Sequence, residues 1–258
     1  MKISLGILAV GAIAISALVG MIALLGCESN EDGSRGTSCP PITIEDPRNL
    51  RVDAGASFGM HPGESRTLGV AVEQCCYWLE PIPKCHGVQW SLSPGAPATI
   101  EHDGTLHVDT NAEPGVSFLV SAAVDSVAIP LTVKVTVYTT ASNPLVGRYR
   151  ESGRLACDNG QETSPSDPIG ELVFRADGTF SVTFDPFEVY RDYWGTYVHD
   201  TTTGTLTLAD VSGNYVPSGL DLDGTFTFEE SSLVLRDMWL GLRPSSSSAI
   251  ECGHRFVP

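Results

Sequence analysis

Basic side chains are scarce in this chain. It carries 15 Lys and Arg against 31 Asp and Glu, a formal charge of −16, and the acidic excess is shared almost equally between the stretches before and after residue 143. No basic stripe is present, which excludes nucleic-acid binding and adhesion to anionic lipid through charge, since both need clustered Lys and Arg facing phosphate. Helical periodicity is missing too: no segment repeats apolar residues at i, i+3, i+4 and i+7. So are the motifs of common chemistries. There is no Gly-x-Ser-x-Gly elbow to present a nucleophile. Asp221-Leu222-Asp223-Gly224 and the segment Asp200–Asp210 are rich in Asp but lack the register of a calcium loop ending in Glu, and Asp before Gly reads as a turn. Of the six histidines, His102 and His107 flank Asp103-Gly104 and can meet across a hairpin, with no third ligand in sight. No catalytic residue, metal site or cofactor is therefore assigned.

What the chain does have is an uncharged run from Ile3 to Gly26 behind the single basic residue Lys2. A basic start, an apolar middle and a small residue at the end form a secretory signal peptide. Leu24-Leu25-Gly26-Cys27 resembles the lipobox of bacterial lipoproteins. The resemblance implies cleavage after Gly26, diacylglycerol on the Cys27 thiol and acylation of the new amino group, so that several acyl chains hold the protein to a membrane. The alternative is an uncleaved transmembrane helix, for which the run is long enough. Small residues through the run (Gly11, Ala12, Ala14, Ser16, Ala17, Gly20) and the polar Glu28-Ser29-Asn30-Glu31-Asp32 directly after Cys27 favour the lipoprotein. The expected location is the bacterial cell envelope. In a cell with two membranes, Glu28 in place of an inner-membrane retention Asp favours the outer one.

Six further cysteines, Cys39, Cys75, Cys76, Cys85, Cys157 and Cys252, make an even set in an exported chain and read as three disulfides. Cys157 and Cys252 stand alone in the second half and are expected to pair. The other four allow three connectivities; bridging the neighbours Cys75 and Cys76 strains the peptide between them, and both alternatives send a bridge to Cys39. A zinc cluster built on Cys85-His86 and Cys75-Cys76 fits no standard spacing and competes with those disulfides.

The organisation that follows is signal peptide 1–26, lipidated Cys and flexible tether 27–40, β-sandwich 41–138, linker 139–144 and small β-barrel 145–258. Short alternating segments dominate both halves, the cleanest being Leu131-Thr-Val133-Lys-Val135-Thr-Val137, and Gly-bearing turns punctuate them. Pro62-Gly63-Glu64-Ser65, Val88-Gln89-Trp90-Ser91, Ala98-Thr99-Ile100, Asp103-Gly104-Thr105-Leu106 and Pro114-Gly115 look like a bacterial Ig-like domain, with Gln74 to Cys85 an insert outside that pattern. The resemblance implies a spacer or adhesive module. In the second half, Leu172, Phe174, Phe180, Val182, Leu206, Leu208, Leu220, Leu222, Phe226, Phe228, Leu233 and Leu235 alternate, with hairpin turns at Asp177-Gly178, Thr203-Gly204 and Asp223-Gly224. About eight strands joined this way make a meander that closes into a barrel. Gly147-Arg148-Tyr149, Asp177-Gly178-Thr179-Phe180, Tyr193-Trp194-Gly195-Thr196-Tyr197 and a late Arg255 beside Cys252 resemble lipocalin-like barrels. That resemblance implies a plug in which Arg255 packs on Tyr149, which stands where the family has Trp.

The fold expected is thus all-β: an Ig-like sandwich followed by an antiparallel, lipocalin-like meander barrel. Phe184, Phe187, Tyr190, Tyr193, Trp194 and Tyr197 are the one concentration of aromatics. Phe187, Tyr190, Tyr193, Trp194 and Tyr197 are the candidate binding residues at a barrel rim, set against a role in capping the core. The function expected is a non-enzymatic binding or structural module with a protein or cell-wall partner. The alternatives are a carrier whose barrel holds a small hydrophobe among Leu172, Phe180, Val182 and Leu222, and a hydrolase with two carboxylates in a cleft.

Overall fold

In a computed structural model of the chain, residues 50–73, 79–82, 86–125, 127, 130–157, 160–186, 190–242 and 251–258 are described. Cys27, Cys39, Cys75, Cys76, Cys85 and Phe187 lie outside them. The described residues fall in one compact unit and contain nineteen strands and no helix, so no helix among them is long and apolar enough to cross a membrane.

The first ten strands are β1 Leu50–Val52, β2 Ser57–Met60, β3 Ser65–Thr67, β4 Val70–Glu73, β5 Leu79–Pro81, β6 Val88–Leu92, β7 Ala98–Ile100, β8 Thr105–Val108, β9 Ser117–Val124 and β10 Leu131–Val137. They form sheets of order β1-β4-β5, β2-β10-β9-β6 and β3-β8-β7. After β1 the chain turns at Gly55, whose φ of 82° suits a residue without Cβ, and enters the second sheet as β2, parallel to β10. Strict alternation along β9 and β10 turns Phe118, Val120, Ala122, Val124, Val133, Val135 and Val137 into one buried cluster with Leu50, Val52, Met60, Leu68, Leu106 and Val108. Each fully buried aliphatic side chain contributes roughly 1.5–3 kcal/mol. Trp90 packs at its margin, and Gly104 (φ 88°) is required there twice over, because a Cβ would lie 2.5 Å from the Leu68 carbonyl and 2.9 Å from the Trp90 indole nitrogen.

The remaining strands form one nine-stranded sheet: β11 Gly147–Ala156, β12 Glu162–Thr163, β13 Glu171–Phe174, β14 Thr179–Thr183, β15 Tyr193–Asp200, β16 Thr205–Gly213, β17 Asp223–Glu229, β18 Ser232–Arg236 and β19 Glu251–Val257. Neighbours are antiparallel, and β11 pairs with β19 from Arg150 to Ala156, which closes eight strands into a barrel; β12 lies against the far end of β11. Closure leaves no free edge for stray pairing. Leu172, Phe174, Phe180, Val182, Tyr193, Tyr197, Leu206, Leu208, Leu233, Leu235 and Phe256 are all buried, none more than 5% exposed. Phe174 is the hub, its ring centroid 4.9 Å from that of Tyr197, 6.3 Å from Phe180 and 6.5 Å from Tyr149. Phe180 in turn meets Tyr193 at 6.2 Å. These rings fill the barrel.

Two sequence expectations need correction here. Asp223-Gly224 is no hairpin turn: both residues open β17, and Leu220 and Leu222 lie before it, outside any strand, although both still pack on the core. Their alternation comes from a connecting segment held by an isolated bridge between Asp221 and Trp239. The plug contact of Arg255 on Tyr149 does not form either. Alternation along β19 sends His254 and Phe256 inward and Arg255 outward, where it donates to Glu162 (2.8 Å) and Glu229 (2.6 Å). Tyr149 is buried and donates to the Leu145 carbonyl at 3.1 Å.

Chain direction places the short hairpins 175–178, 201–204 and 230–231 at one end of the barrel and the longer connections after β11, β14, β16 and β18 at the other. The hairpin 175–178 docks on the sandwich. Ala176 occupies the space over Gly59, where a Cβ would lie 2.6 Å from the Ala176 Cβ and 2.7 Å from the Tyr138 ring. The Asp177 carboxylate accepts from the Ser57 hydroxyl. Beside it, Asn143 Nδ2 donates to the Tyr197 hydroxyl at 2.7 Å, and that hydroxyl donates to the Arg175 carbonyl at 2.7 Å.

Cys157 and Cys252 are bonded to each other, joining residues 95 apart in sequence and tying the end of β11 to the start of β19. Replacing both by Ser is expected to lower unfolding stability by about 2–5 kcal/mol, measured by denaturant titration, because the closed loop no longer restricts the unfolded chain. Gly59→Val should lift the 175–178 hairpin from the sandwich while leaving both hydrophobic clusters in place. Hydrogen exchange would then rise at residues 57–60 and 175–179 and stay unchanged in β9 and β18.

Candidate functional site

The sequence candidates do not converge. Along β15 alternation separates them: Tyr193 and Tyr197 point into the barrel, and Trp194 points outward at 40% exposure. Burial pushes the Tyr193 phenol well above its ordinary pKa and the Tyr197 phenol up to about 12, so both act as neutral hydrogen-bonding groups. Tyr190 is half-buried, its hydroxyl 3.4 Å from Asp192 Oδ1. The rim cluster thus resolves into core residues and one exposed indole. In the other half, His107 bonds Ser65 Oγ (2.7 Å) and Glu101 Oε1 (3.0 Å) rather than His102. Among the described residues no group of three or more His, Cys, Asp or Glu is placed to hold a metal ion.

The long-connection end of the barrel is sealed by a buried polar cluster that alternation hides. A β-bulge at Ser152 shifts the β11–β19 register, so that Glu151 and Arg154, which regular alternation would put on opposite faces, are both enclosed, with side chains 0% and 3% exposed. Glu151 Oε1 accepts from His254 Nδ1 (2.6 Å) and Arg154 Nε (3.2 Å), and Oε2 accepts from the Ile169 amide (2.7 Å). His254 Nε2 accepts from the Leu240 amide at 3.0 Å, which fixes the tautomer, and the Leu240 carbonyl accepts from Tyr193 at 2.6 Å. The Arg154 guanidinium lies 5.2 Å from the Trp239 ring centroid, itself 4.7 Å from that of His254. Burial works to raise the Glu151 carboxyl, but the hydrogen bond from His254, the Ile169 amide and the charge of Arg154 outweigh it and hold it below the usual carboxylate range. A Glu–His pair of this kind orients a base in many hydrolases. Here the second imidazole nitrogen is used on Leu240, and the pair has no face toward solvent.

Open space lies instead on the outer wall. A cleft of about 520 Å³ separates the turn 54–57 from the hairpin 175–179 and the outward face of β15 and β16. Arg175, Asp177, Arg191, Trp194, Thr196 and Asp210 line it. A second register shift, between Trp194 and Thr196, shapes the floor. Asp210 adopts φ 52° there, and Gly195 is the residue beneath it because a Cβ would lie 2.4 Å from the Ala209 carbonyl. Backbone held this way at a cleft is a mark of positions shaped for function.

The acids of the cleft are engaged. Asp210 Oδ2 accepts from Thr196 Oγ1 at 2.8 Å. Asp177 Oδ1 accepts from the Thr179 amide (3.1 Å) and hydroxyl (2.7 Å); with Ser57 these bonds overcome burial and hold Asp177 below its ordinary pKa. The arginines are not so engaged. Arg175 donates to Ser181 Oγ at 3.1 Å, and burial, then the nearby charge of Arg191, lowers its pKa. Among the described residues neither guanidinium makes an ion pair at contact distance, although the charges of Asp177 and Glu171 reach Arg175, whereas Arg148, Arg154, Arg236 and Arg255 all do. A second cleft, of about 590 Å³, flanks the other side of the docked hairpin, lined by Lys134, Tyr138, Asn143 and His199 among others.

No family model and no curated protein matches the sequence. Two solved structures are similar at 10% identity. One is a structural-genomics protein of unknown function from Bacteroides ovatus, with a TM-score of 0.24 over 81% of this chain and 92% of that one. The other is a DUF4784 family protein from Bacteroides caccae, with a TM-score of 0.18 over 79% of this chain and 51% of that one.

The sealed end generates a pH prediction. Because the folded Glu151 carboxyl binds a proton less readily than the unfolded one, its contribution is complete above the ordinary carboxylate pKa, 4.5, and is lost as pH falls through the lower folded value. Glu151→Gln is expected to destabilise the protein at neutral pH and to make stability less steeply dependent on pH below about 4.5, read from melting temperatures between pH 3 and 7. An unchanged slope would show that other carboxylates carry the acid response.

Proposed function

We propose that the protein is a lipid-anchored, non-enzymatic binding module of the bacterial cell envelope, the sandwich lifting the barrel from the membrane and the barrel wall meeting the partner. The single observation that supports the reading is the filled interior. Leu172, Phe180 and Val182, which would line a carrier's cavity, are 0% exposed and packed among aromatic rings, so binding falls to the outside of the barrel. The cleft beside Trp194 supplies that outer surface. The non-enzymatic reading is favoured over a hydrolase because the cleft's acids, Asp177 and Asp210, are each hydrogen-bonded to neighbouring hydroxyls, and Asp177 is held in its charged form rather than poised as a proton donor. The anchor rests on Leu24-Leu25-Gly26-Cys27 and the apolar run before it.

The anchoring half is tested by mass spectrometry of the protein recovered from bacterial membranes. The expected mature chain begins at Cys27 and carries diacylglycerol on sulfur, and Cys27→Ala leaves the leader uncleaved and the chain without lipid. A wild-type chain that keeps residues 1–26 and lacks lipid would make the run a membrane-spanning anchor.

A further inference from the structure

We infer that the cleft between the turn 54–57 and the barrel wall binds an acidic saccharide, its ring stacked on Trp194 and its oxyanion held by Arg175 and Arg191. The inference rests on the binding-module reading above and names its ligand class.

Three independent observations point the same way. The first is charge placement. In a chain with twice as many acids as bases, four barrel arginines make ion pairs with carboxylates, whereas Arg175 and Arg191 face a common opening whose own acids, Asp177 and Asp210, are bonded to Thr179 and Thr196 instead. The two guanidiniums repel each other, Asp177 and Glu171 offset part of that repulsion at Arg175, and an anion that shared the donors of both would relieve the rest. Forked Arg donors match the planar or tetrahedral oxygens of carboxylate and sulfate.

The second observation is the indole. Trp194 is the outward-pointing aromatic of β15, 40% exposed beside the arginines, and an exposed Trp face is suited to the apolar C–H face of a sugar ring. The third is the floor. Thr196 and Asp210 are bonded to each other on a bulge with left-handed backbone at Asp210, which presents a fixed hydroxyl–carboxylate pair toward the cleft. Such a pair suits ligand hydroxyls. An acidic peptide would satisfy the arginines but would leave the indole and the hydroxyl-bearing floor without complementary groups.

Titration calorimetry on the full-length protein in detergent tests the inference. The probes are oligogalacturonate for the carboxylate form, chondroitin sulfate oligosaccharide for the sulfate form, neutral galactan oligosaccharide, poly-L-glutamate and sodium sulfate. One acidic saccharide is expected to bind at least tenfold more tightly than the neutral one, with affinity falling as NaCl rises; which of the two binds identifies the oxyanion. Arg191→Ala and Trp194→Ala, both at exposed positions, should each weaken it at least tenfold without moving the melting temperature by more than a few degrees, and Arg191→Lys should restore only part of the loss. Equal binding of poly-L-glutamate or sulfate ion would overturn the saccharide assignment. So would saccharide binding that survives both variants, or no binding to any probe. Tight binding of the neutral saccharide alone, lost in Trp194→Ala, would also overturn the acidic inference but leave the binding-module reading standing. An unlipidated mature chain would remove the anchored reading and leave the cleft chemistry untouched.

Discussion

Everything in the second half depends on one pairing, that of β11 with β19. Without it the eight strands are an open meander with two long edges; with it the inward residues of every strand share one interior. The pairing is held at three levels. Backbone hydrogen bonds run from Arg150 to Ala156, the Cys157–Cys252 bridge covers the end of the ladder, and the Glu151–Arg154–His254 cluster joins the same two strands from inside. Buried ions are costly unless their polar atoms find partners, and here both carboxylate oxygens, both imidazole nitrogens and Arg154 Nε and Nη2 have them. That cluster exists because the strand slips one residue at Ser152. The bulge is therefore a device of closure, letting a single strand supply two charged residues to one site.

Closure also decides where the molecule can bind. A barrel whose interior is taken up by Phe174 and its ring neighbours and whose long-connection end is pinned through Leu240 offers ligands its outer wall. The opposite end is taken by the sandwich, and the docked hairpin leaves space on either side of it. Asp177 has a part in both arrangements. Its carboxylate accepts from Ser57 across the junction and from Thr179 within the hairpin, so the geometry of the wall and the seating of the sandwich are set by one side chain.

Much of the architecture was legible because it follows from alternation. The core residues of β9 and β10 are those that period two selects, as are Leu172, Phe180, Val182, Leu206, Leu208, Leu233 and Leu235 in the barrel. The turns at Asp177-Gly178 and Thr203-Gly204 were readable because Gly178 and Gly204 adopt the positive φ (80° and 71°) that such turns demand. What alternation could not give is whatever breaks it. Leu220 and Leu222 alternate and are buried, but a bridge between connecting segments, not a strand, holds them in place. The bulges at Ser152 of β11 and around Asp210 of β16 reverse the face on which following residues of those strands fall, and nothing local in the sequence marks either one. For that reason Glu151, Arg154 and His254 carry no sequence signature as a unit, with 103 residues separating the acid from the imidazole.

The aromatic cluster shows the same limit from the other side. Composition around residues 184–197 suggested one binding surface, but neighbours on a strand point apart, so Tyr193 and Trp194 end on opposite faces of the wall. The exposed indole then acquires neighbours from elsewhere: Arg175 from the start of a hairpin, Arg191 from the residues before β15, Asp210 from a bulge, and the turn 54–57 from the sandwich. None of these is close to the others in sequence pattern, and no motif joins them. The reason they matter together is electrostatic. In an acidic chain the cheapest place for an arginine is beside one of its many carboxylates, and Arg148, Arg236 and Arg255 follow that rule on the same barrel. Arg175 and Arg191 depart from it: the acids that share their cleft, Asp177 and Asp210, are held by Thr179 and Thr196, and an anion from outside would use the guanidinium donors these acids leave.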